Sequence, residues 1–314
     1  MPSVLQRNKT VKKRFFRIAE HNISVSFVDE TANDTFLSPS FEPFEIKEAD
    51  DGCIFSLNVH DSIKPYSKEQ RERIGIFDTG NGKTIVDRVE GGGYQFLVRG
   101  MYGCHCCLLQ TNSDFSVANC ALKGSPSVRS FGLNTAIMMM YAFRGGYYDT
   151  LLIHASVVRN NGYAYAFTAQ SGTGKSTHTS LWIKSIEGCD LINDDNPVVR
   201  IIGGKAFVYG SPWSGKTPCY RNVKVALGAI VKIERAGKNS IERVSPVVAF
   251  TYLVPACSSM KWDSNIFGHT CDVVTKLIES FTSVYKLRCL PNEEAAKLCY
   301  EAIAYKSNDN GTDQ

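Results

Sequence analysis

Through the first third of the chain, hydrophobic and polar positions fall in short runs with a period close to two. FFRIAEHNISVSFV alternates in its second half, and CIFSLNVH, IGIFDTG, KTIVDRVE, YQFLVRG and CCLLQTN follow as strand-like segments. The turns between them include DTGNG at 78–82 and EGGG at 90–93, whose glycines accept positive φ. Residues 14 to about 122 therefore read as a β-rich half. The pattern changes after GSPSVRS at 124–130: Ser125 or Ser127 can cap a helix, and Leu133, Ile137, Met140 and Tyr141 fall at helical spacing. The methionine triplet in this helix reads as core packing.

Beyond it the periods alternate. LLIHASVV (151–158) and YAYAFTA (163–169) predict two strands joined through Asn161-Gly162, a strong hairpin pair. Thr179, Trp182, Ile183 and Ile186 repeat at helical spacing until Gly188. DLIN is strand-like and runs into DDNP. PVVRII, a Gly-Gly turn and KAFVYG predict a second hairpin, and VKVALGAIVKIER (223–235) a buried strand. Ser245-Pro246 predicts an N-cap and first helical position. The chain then reads as helix (CDVVTKLIESF), strand (VYKLRC) and a helix capped by Asn292, with the polar tail KSNDNGTDQ expected to be disordered. The expected organisation is a β-rich N-terminal domain at 1–126, a mixed α/β or α+β domain at 127–305 and a tail at 306–314.

Composition narrows the class. Of 314 residues, 43% are hydrophobic and 21% charged, a globular balance. A net charge of +4 gives no broad basic footprint, so nucleic acid is not an expected partner. The basic start MPSVLQRNKTVKKRFF has no apolar run behind it, unlike a secretory signal. The longest apolar stretch, 133–143, falls short of the ~20 residues that span a bilayer, so the expectation is a cytoplasmic protein with no membrane partner. The eleven cysteines then read as small buried hydrophobes of a reducing compartment. GCHCC at 103–107 holds one C-x-x-C but no second pair, and Cys104, Cys106 and Leu108 alternate like a strand face, so no metal is expected there.

The candidate chemistry lies in two matches to G-x-x-x-x-G-K-[ST]. One is GSPWSGKT, with Gly210, Gly215, Lys216 and Thr217. The other, AQSGTGKS, has Ala169 at its first position. A phosphate cradle needs a strand, a Gly-rich turn and a helix N-terminus, where backbone N–H groups converge and the helix dipole favours an anion. Only the upstream match has that context, which selects Ser171, Gly172, Thr173, Gly174, Lys175, Ser176 and Thr177 as the nucleotide loop. Ala169 is tolerable there if its φ is negative. The downstream match runs into a strand, and Pro212 removes an N–H. It reads either as a loop bringing a second lysine, Lys216, to the same phosphates, where it acts on rate, or as a surface turn with a solvated lysine. In P-loop proteins the Ser/Thr after the lysine and an acid at a neighbouring strand end hold Mg²⁺. Ser176 is the first of these, and Asp194 and Asp195 supply the second, although a DDNP turn also explains the pair.

HASVV, hairpin, strand, SGTGKS, helix and LINDD in that order resemble the catalytic domain of the HPr kinase/phosphorylase family. The loop text also resembles ATP-dependent phosphoenolpyruvate carboxykinase, which shares this P-loop subclass. The close match spans about 150–202, and a looser one runs to about 305. The resemblance implies a P-loop kinase domain with a mixed sheet, using ATP with Mg²⁺ or Mn²⁺. It implies that Lys175 holds the β- and γ-phosphates, that Ser176 and Asp195 hold the metal, that Asp194 is the base and that His154 lies near the transferred phosphate. By composition alone, His154 is equally a buried strand histidine. The Glu-Ile-Arg-Gly signature of true HPr kinases is absent, with GSPWSGK and Arg221 near its place. The acceptor is therefore open between a protein or peptide serine and a small hydroxyl compound, and a homo-oligomer is open as well. The other class of function is a nucleotide-binding regulatory or assembly protein with weak ATPase activity, which would not need an acceptor-facing base.

Overall fold

The structure, a computed structural model, describes residues 11–28, 33, 35, 37, 39–49, 52–78, 82–100, 103–215, 217–280 and 282–305. The chain divides into two units, Met1–Arg144 and Gly145–Gln314. The 306–314 tail and most of the DTGNG turn lie outside the described residues.

The first unit is built from β1 (Val11–Ile18), β2 (His21–Val28), β3 (Glu45–Ile46), β4 (Phe55–Val59), β5 (Arg71–Asp78), β6 (Gly82–Val89), β7 (Tyr94–Gly100), β8 (His105–Thr111), β9 (Val117–Leu122) and α1 (Pro126–Gly145). The strands form one sheet in the order β3-β1-β2-β4-β9-β8-β7-β6-β5. Pairing is parallel on both sides of β4 and antiparallel elsewhere. In the EGGG turn Gly91, Gly92 and Gly93 have φ of 83, 97 and 94°, which their lack of Cβ permits.

Helix α1, expected to open the second domain, belongs to this first unit almost to its end. Leu133, Ile137, Met140 and Tyr141 are fully buried, and Tyr141 Oη donates to Ile18 O at 3.0 Å. A Cβ on Gly132 would lie 2.7 Å from Cys106 O, so that glycine lets the helix backbone close onto the sheet. Near the C-terminus of the helix, Arg144 donates to Ile54 O and pairs with Asp114 at 2.8 Å. Its tertiary contacts therefore draw the division to residue 144. In the GCHCC stretch Cys106 and Cys107 are buried on β8, whereas Cys104 precedes the strand and is exposed, not on a buried face.

The second unit holds β10 (Thr150–Leu152), β11 (Ala155–Asn160), β12 (Tyr163–Thr168), α2 (Lys175–Ser185), β13 (Asp190–Asp195), β14 (Val198–Ile202), β15 (Lys205–Tyr209), β16 (Lys224–Arg235), β17 (Ser240–Arg243), α3 (Pro246–Ala256), α4 (Ser264–Glu279), β18 (Ser283–Cys289) and α5 (Glu293–Ile303). Its mixed sheet runs β10-β14-β15-β16-β12-β11-β13, with β18 on β16 beyond β15 and β17 on β18. Parallel pairing joins β12, β16 and β18. Alternating side chains serve two cores. Val157, Ala164, Ala166 and Ile230 pack with α3 and α4. Val158, Tyr165, Phe167 and Val231 pack with α2 and α5.

Three local departures from the expected elements have visible causes. LLIHASVV is not one strand: Ile153 bridges to Cys257 and His154 N donates to Ala256 O, so the end of α3 interrupts it. Helix α4 begins at Ser264, earlier than CDVV, because Asp263 caps it by accepting from Asn265 N and Ile266 N. Ile183 is 40% exposed although it falls on the expected apolar face of α2; of the four expected positions, Thr179, Trp182 and Ile186 are buried.

Trp182 is fully buried among Tyr165, Phe167 and Tyr300, and its Nε1 donates to His178 Nε2 at 3.1 Å. Trp182→Ala should cost ~3–5 kcal/mol, measured by denaturant unfolding. Burial pushes the His178 imidazole from its ordinary 6.5 down to about 4. The unfolded chain therefore binds this proton before the folded protein does. The stability it contributes is present above pH 6.5 and is lost as pH falls toward 4, at ~1.4 kcal/mol per unit inside that window. His178→Gln should flatten the acid slope of Tm between these values; an unchanged slope would place the acid sensitivity elsewhere.

Candidate phosphate-binding site

Strand β12 ends at Thr168, and the next seven residues turn into α2. Gly172 and Gly174 sit at φ 76 and 121°, where a side chain is strained. Ala169 is absent from the positive-φ residues and is 7% exposed, packed into the α2 core. That is the condition under which an alanine can stand first in the loop. The N-cap of α2, Gly174, makes no side-chain hydrogen bond, whereas α4 and α5 are capped by Asp263 and Asn292. The first amides of α2 thus have neither an intrahelical acceptor nor a capping side chain. Two loop carbonyls are already occupied: Arg235, at the end of β16, donates to Gly172 O at 2.6 Å and Thr173 O at 3.0 Å. A cation satisfying the carbonyls while the amides stay free is the arrangement found in anion cradles.

Sheet register brings the other groups to the same edge. Ala155 pairs with Thr168 on one side and Asp195 on the other. The start of β11 and the ends of β12 and β13 therefore coincide. Lys175 Nζ donates to His154 Nε2 at 2.8 Å and to Ala169 O at 3.3 Å. With Nε2 accepting, the His154 proton resides on Nδ1, which donates to Asp195 Oδ1 at 3.0 Å. Burial lowers the Lys175 ammonium from its usual range, Asp195 and Asp194 oppose that, and Lys232 adds to it. Ser176 Oγ donates to Asp194 Oδ1 at 2.8 Å. Asp194 is only 4% exposed, whereas a third of the Asp195 side chain is open to solvent.

The downstream match is folded against this acid pair rather than around a phosphate. Neither of its described glycines has positive φ. A Cβ on Gly210 would lie 1.9 Å from Arg221 O, and one on Gly215 would lie 2.6 Å from Asp194 O. Gly215 N donates to Asp194 O at 2.6 Å, and Ser214 bridges to Asp195. Asn193, fully buried, ties the arrangement together. Its Oδ1 accepts from the amides of Asp195 and Asn196, and its Nδ2 donates to Ser211 Oγ and Trp213 O. The loop is a clamp on the end of β13.

The structure therefore joins Lys175, His154 and Asp195 in one chain, and Ser176 to Asp194 in another. Ser176 and Asp195, expected to hold the metal, thus belong to different hydrogen-bonded groups. Ser171, Gly172, Thr173, Gly174 and Thr177 lie on the loop and first turn of α2, with Ser171, Gly172 and Thr177 exposed. Lys216 lies outside the described residues. His154 is not a buried strand histidine: it precedes β11 and its side chain is 39% exposed. Asn193, Asn196 and Arg235 contact the acid pair or the loop and are not singled out by the sequence reading. The one available signal was Asn193 and Asn196 flanking the acid pair in NDDN.

Gly215→Ala adds one methyl group and removes no charge, yet it must displace the backbone of Asp194. We expect phosphoryl-transfer or ATPase turnover to fall at least ~10-fold, since small misplacements of reacting groups are costly. Nucleotide affinity should stay within ~3-fold, because the loop at 169–177 is untouched. Equal turnover in variant and parent would show that the clamp does not govern the acids.

No protein-family model matches the chain, and no curated protein matches it in sequence. Among solved structures it is similar to that of the Hpr(Ser) kinase/phosphatase from Coxiella burnetii, with a TM-score of 0.28 and 10% identity, over 48% of this chain and 95% of that one.

Proposed function

We propose that the second unit is an ATP-dependent phosphotransferase that moves the γ-phosphoryl group to a hydroxyl, either a serine of a protein or peptide or a small hydroxyl compound. The observation that carries this reading is the Lys175–His154–Asp195 chain beside an uncapped, glycine-turned helix N-terminus. A nucleotide switch needs the cradle and a metal partner; it has no use for a second, solvent-facing carboxylate held by a histidine.

The donors also suit the implied cation. Ser176 Oγ and Asp194 are hard oxygen ligands in mutual contact, the kind that Mg²⁺ or Mn²⁺ takes alongside phosphate and water. No group of three or more His, Cys, Asp or Glu forms a self-sufficient metal cage among the described residues. A phosphate-bridged cation does not require one. When bound, such a cation neutralises charge on the β- and γ-phosphate oxygens.

The contacts support a division of work different from the one the family resemblance implies. Asp194, buried and bonded to Ser176, is the metal-side carboxylate. Asp195, more open and oriented by His154 Nδ1, receives the acceptor proton. A base must reach the hydroxyl it deprotonates, and Asp194 is too enclosed to do so. His154 positions Asp195 and steadies Lys175, whose ammonium meets the phosphates. Lys216 retains the role of a rate-enhancing cation for the transferred group, with binding left largely to Lys175.

The test is labelling by [γ-³²P]ATP of a cell extract and of a panel of hydroxyl metabolites. Asp195→Asn should reduce transfer at least ~10²-fold, the ordinary contribution of a general base, with ATP affinity within ~3-fold of the parent. Asp194→Asn and Ser176→Ala should raise the Mg²⁺ concentration needed for half-maximal rate. Lys175→Ala should abolish ATP binding in calorimetry. Loss of transfer in Asp194→Asn at unchanged Mg²⁺ dependence would return the base role to Asp194. A parent protein that binds no ATP would sink the reading altogether.

A further inference from the structure

Strands β12 and β16 are adjacent and parallel, but the chain leaves them in opposite directions. From β12 it passes through α2 to β13, on the far side of β11. From β16 it passes through α3 and α4 to β18, on the opposite side. Such a divergence opens a crevice beyond the carboxyl ends of the two strands, the place where open α/β sheets receive ligands. The crevice exists here: a cleft of about 440 Å³ is lined by Gln170, Ser171, Gly172 and Thr173 of the loop and by Lys232, Ile233, Glu234 and Arg235 of β16.

The cations of this cleft have unequal employment. Arg235 is committed to the loop carbonyls. Glu234 is opposite Arg288 at 3.6 Å, leaving Lys232 without a carboxylate from its own strand. Lys232 itself, half-buried, has no hydrogen bond or ion pair among the described residues. It stands in register with Thr168, the last strand residue before the loop, so the two side chains share a face of the sheet. Thr168 carries a buried hydroxyl that also lacks a hydrogen-bond partner among the described residues. Lys232 is also close enough to Lys175 to disfavour its charge. The two aspartates offset the Lys175 charge, whereas no carboxylate among the described residues pairs with Lys232, which leaves its ammonium for an anion in the cleft.

Direction follows from the order β16-β12-β11-β13. The carboxylates and His154 lie on the β11/β13 flank of the loop, and Lys232 lies on the β16 flank. If the γ-phosphoryl group faces Asp195, the rest of the nucleotide extends toward β16. We propose that this cleft is the subsite for the leaving nucleoside diphosphate and that Lys232 is its charged anchor. This assignment rests on the phosphotransferase reading and adds to it a third lysine, distinct from Lys175 and Lys216.

The experiment is titration of the whole chain with ADP, ATP and AMP, in the parent protein, Lys232→Met, Lys232→Arg and Lys205→Met as an exposed control. Lys232→Met keeps the apolar stem and removes the charge. It should weaken ADP and ATP by the same factor of about tenfold or more, as loss of one contact to a charged group does. Lys232→Arg should recover part of that loss, and Lys205→Met should change nothing. Thermal unfolding of Lys232→Met should show an undiminished Tm, because a repulsion with Lys175 is removed. Unchanged ADP affinity in Lys232→Met would overturn the proposal, and so would a loss confined to ATP, which would put Lys232 at the γ-phosphate. A parent that binds no nucleotide would reject the phosphotransferase reading and this one with it. A parent that binds ATP through Lys175 but is indifferent to Lys232 would reject only this one.

Discussion

Ala155 sits between Thr168 and Asp195 in the sheet, and that register fixes which side chains can meet. It aligns the strand that feeds the loop with the strand that ends in the acid pair, one strand apart. The interruption at Ile153 and His154 matters for the same reason. Had LLIHASVV continued as one strand, the backbone of His154 would be committed to the ladder. Instead Ala256 O takes its amide, and the imidazole spans the gap between Lys175 and Asp195.

The same register explains why two neighbouring aspartates are not interchangeable. Side chains on a strand alternate faces. Asp194 lies opposite Ser156, whose hydroxyl meets Thr179 of α2, so Asp194 shares the α2 face and reaches Ser176. Asp195 lies opposite Ala155 and is turned to the face packed by α3 and α4. One acid therefore belongs to the helix that follows the glycine-turned loop, and the other to the space beside His154. Exchanging their order in the chain would exchange their partners, because the parity, rather than the carboxylate itself, carries the assignment.

Much of this was legible in the sequence where the determinants are local. The strand–loop–helix context of SGTGKS needs only neighbouring residues, and it singled out Lys175 correctly as the head of α2. The strands at 198–202, 205–209 and 224–235 likewise follow from alternation and a Gly-Gly turn. Roles set by parity and register were not legible. Which aspartate meets Ser176 depends on which face of β13 receives α2. That Arg235 props the loop depends on β16 lying beside β12, across more than sixty residues of chain. The division of the chain at residue 144 rests on distant contacts in the same way: α1 follows a change in composition, yet Tyr141 and Arg144 are held by Ile18, Ile54 and Asp114.

The two matches to one glycine pattern differ in what glycine is for. At Gly172 and Gly174 a Cβ would meet no close neighbour, but φ is positive, so glycine is there for its backbone freedom. At Gly210 and Gly215 φ is ordinary, but a Cβ would collide with a carbonyl oxygen, so glycine is there to let one backbone touch another. The first use turns amides toward an open space; the second closes space by bringing an amide onto Asp194 O. A spacing pattern registers both alike, since it records where side chains are missing and not why. Only the first use leaves N–H groups free for a phosphate. The second consumes its N–H on Asp194 O, which makes the downstream loop a support for the end of β13 and leaves open space to the upstream loop.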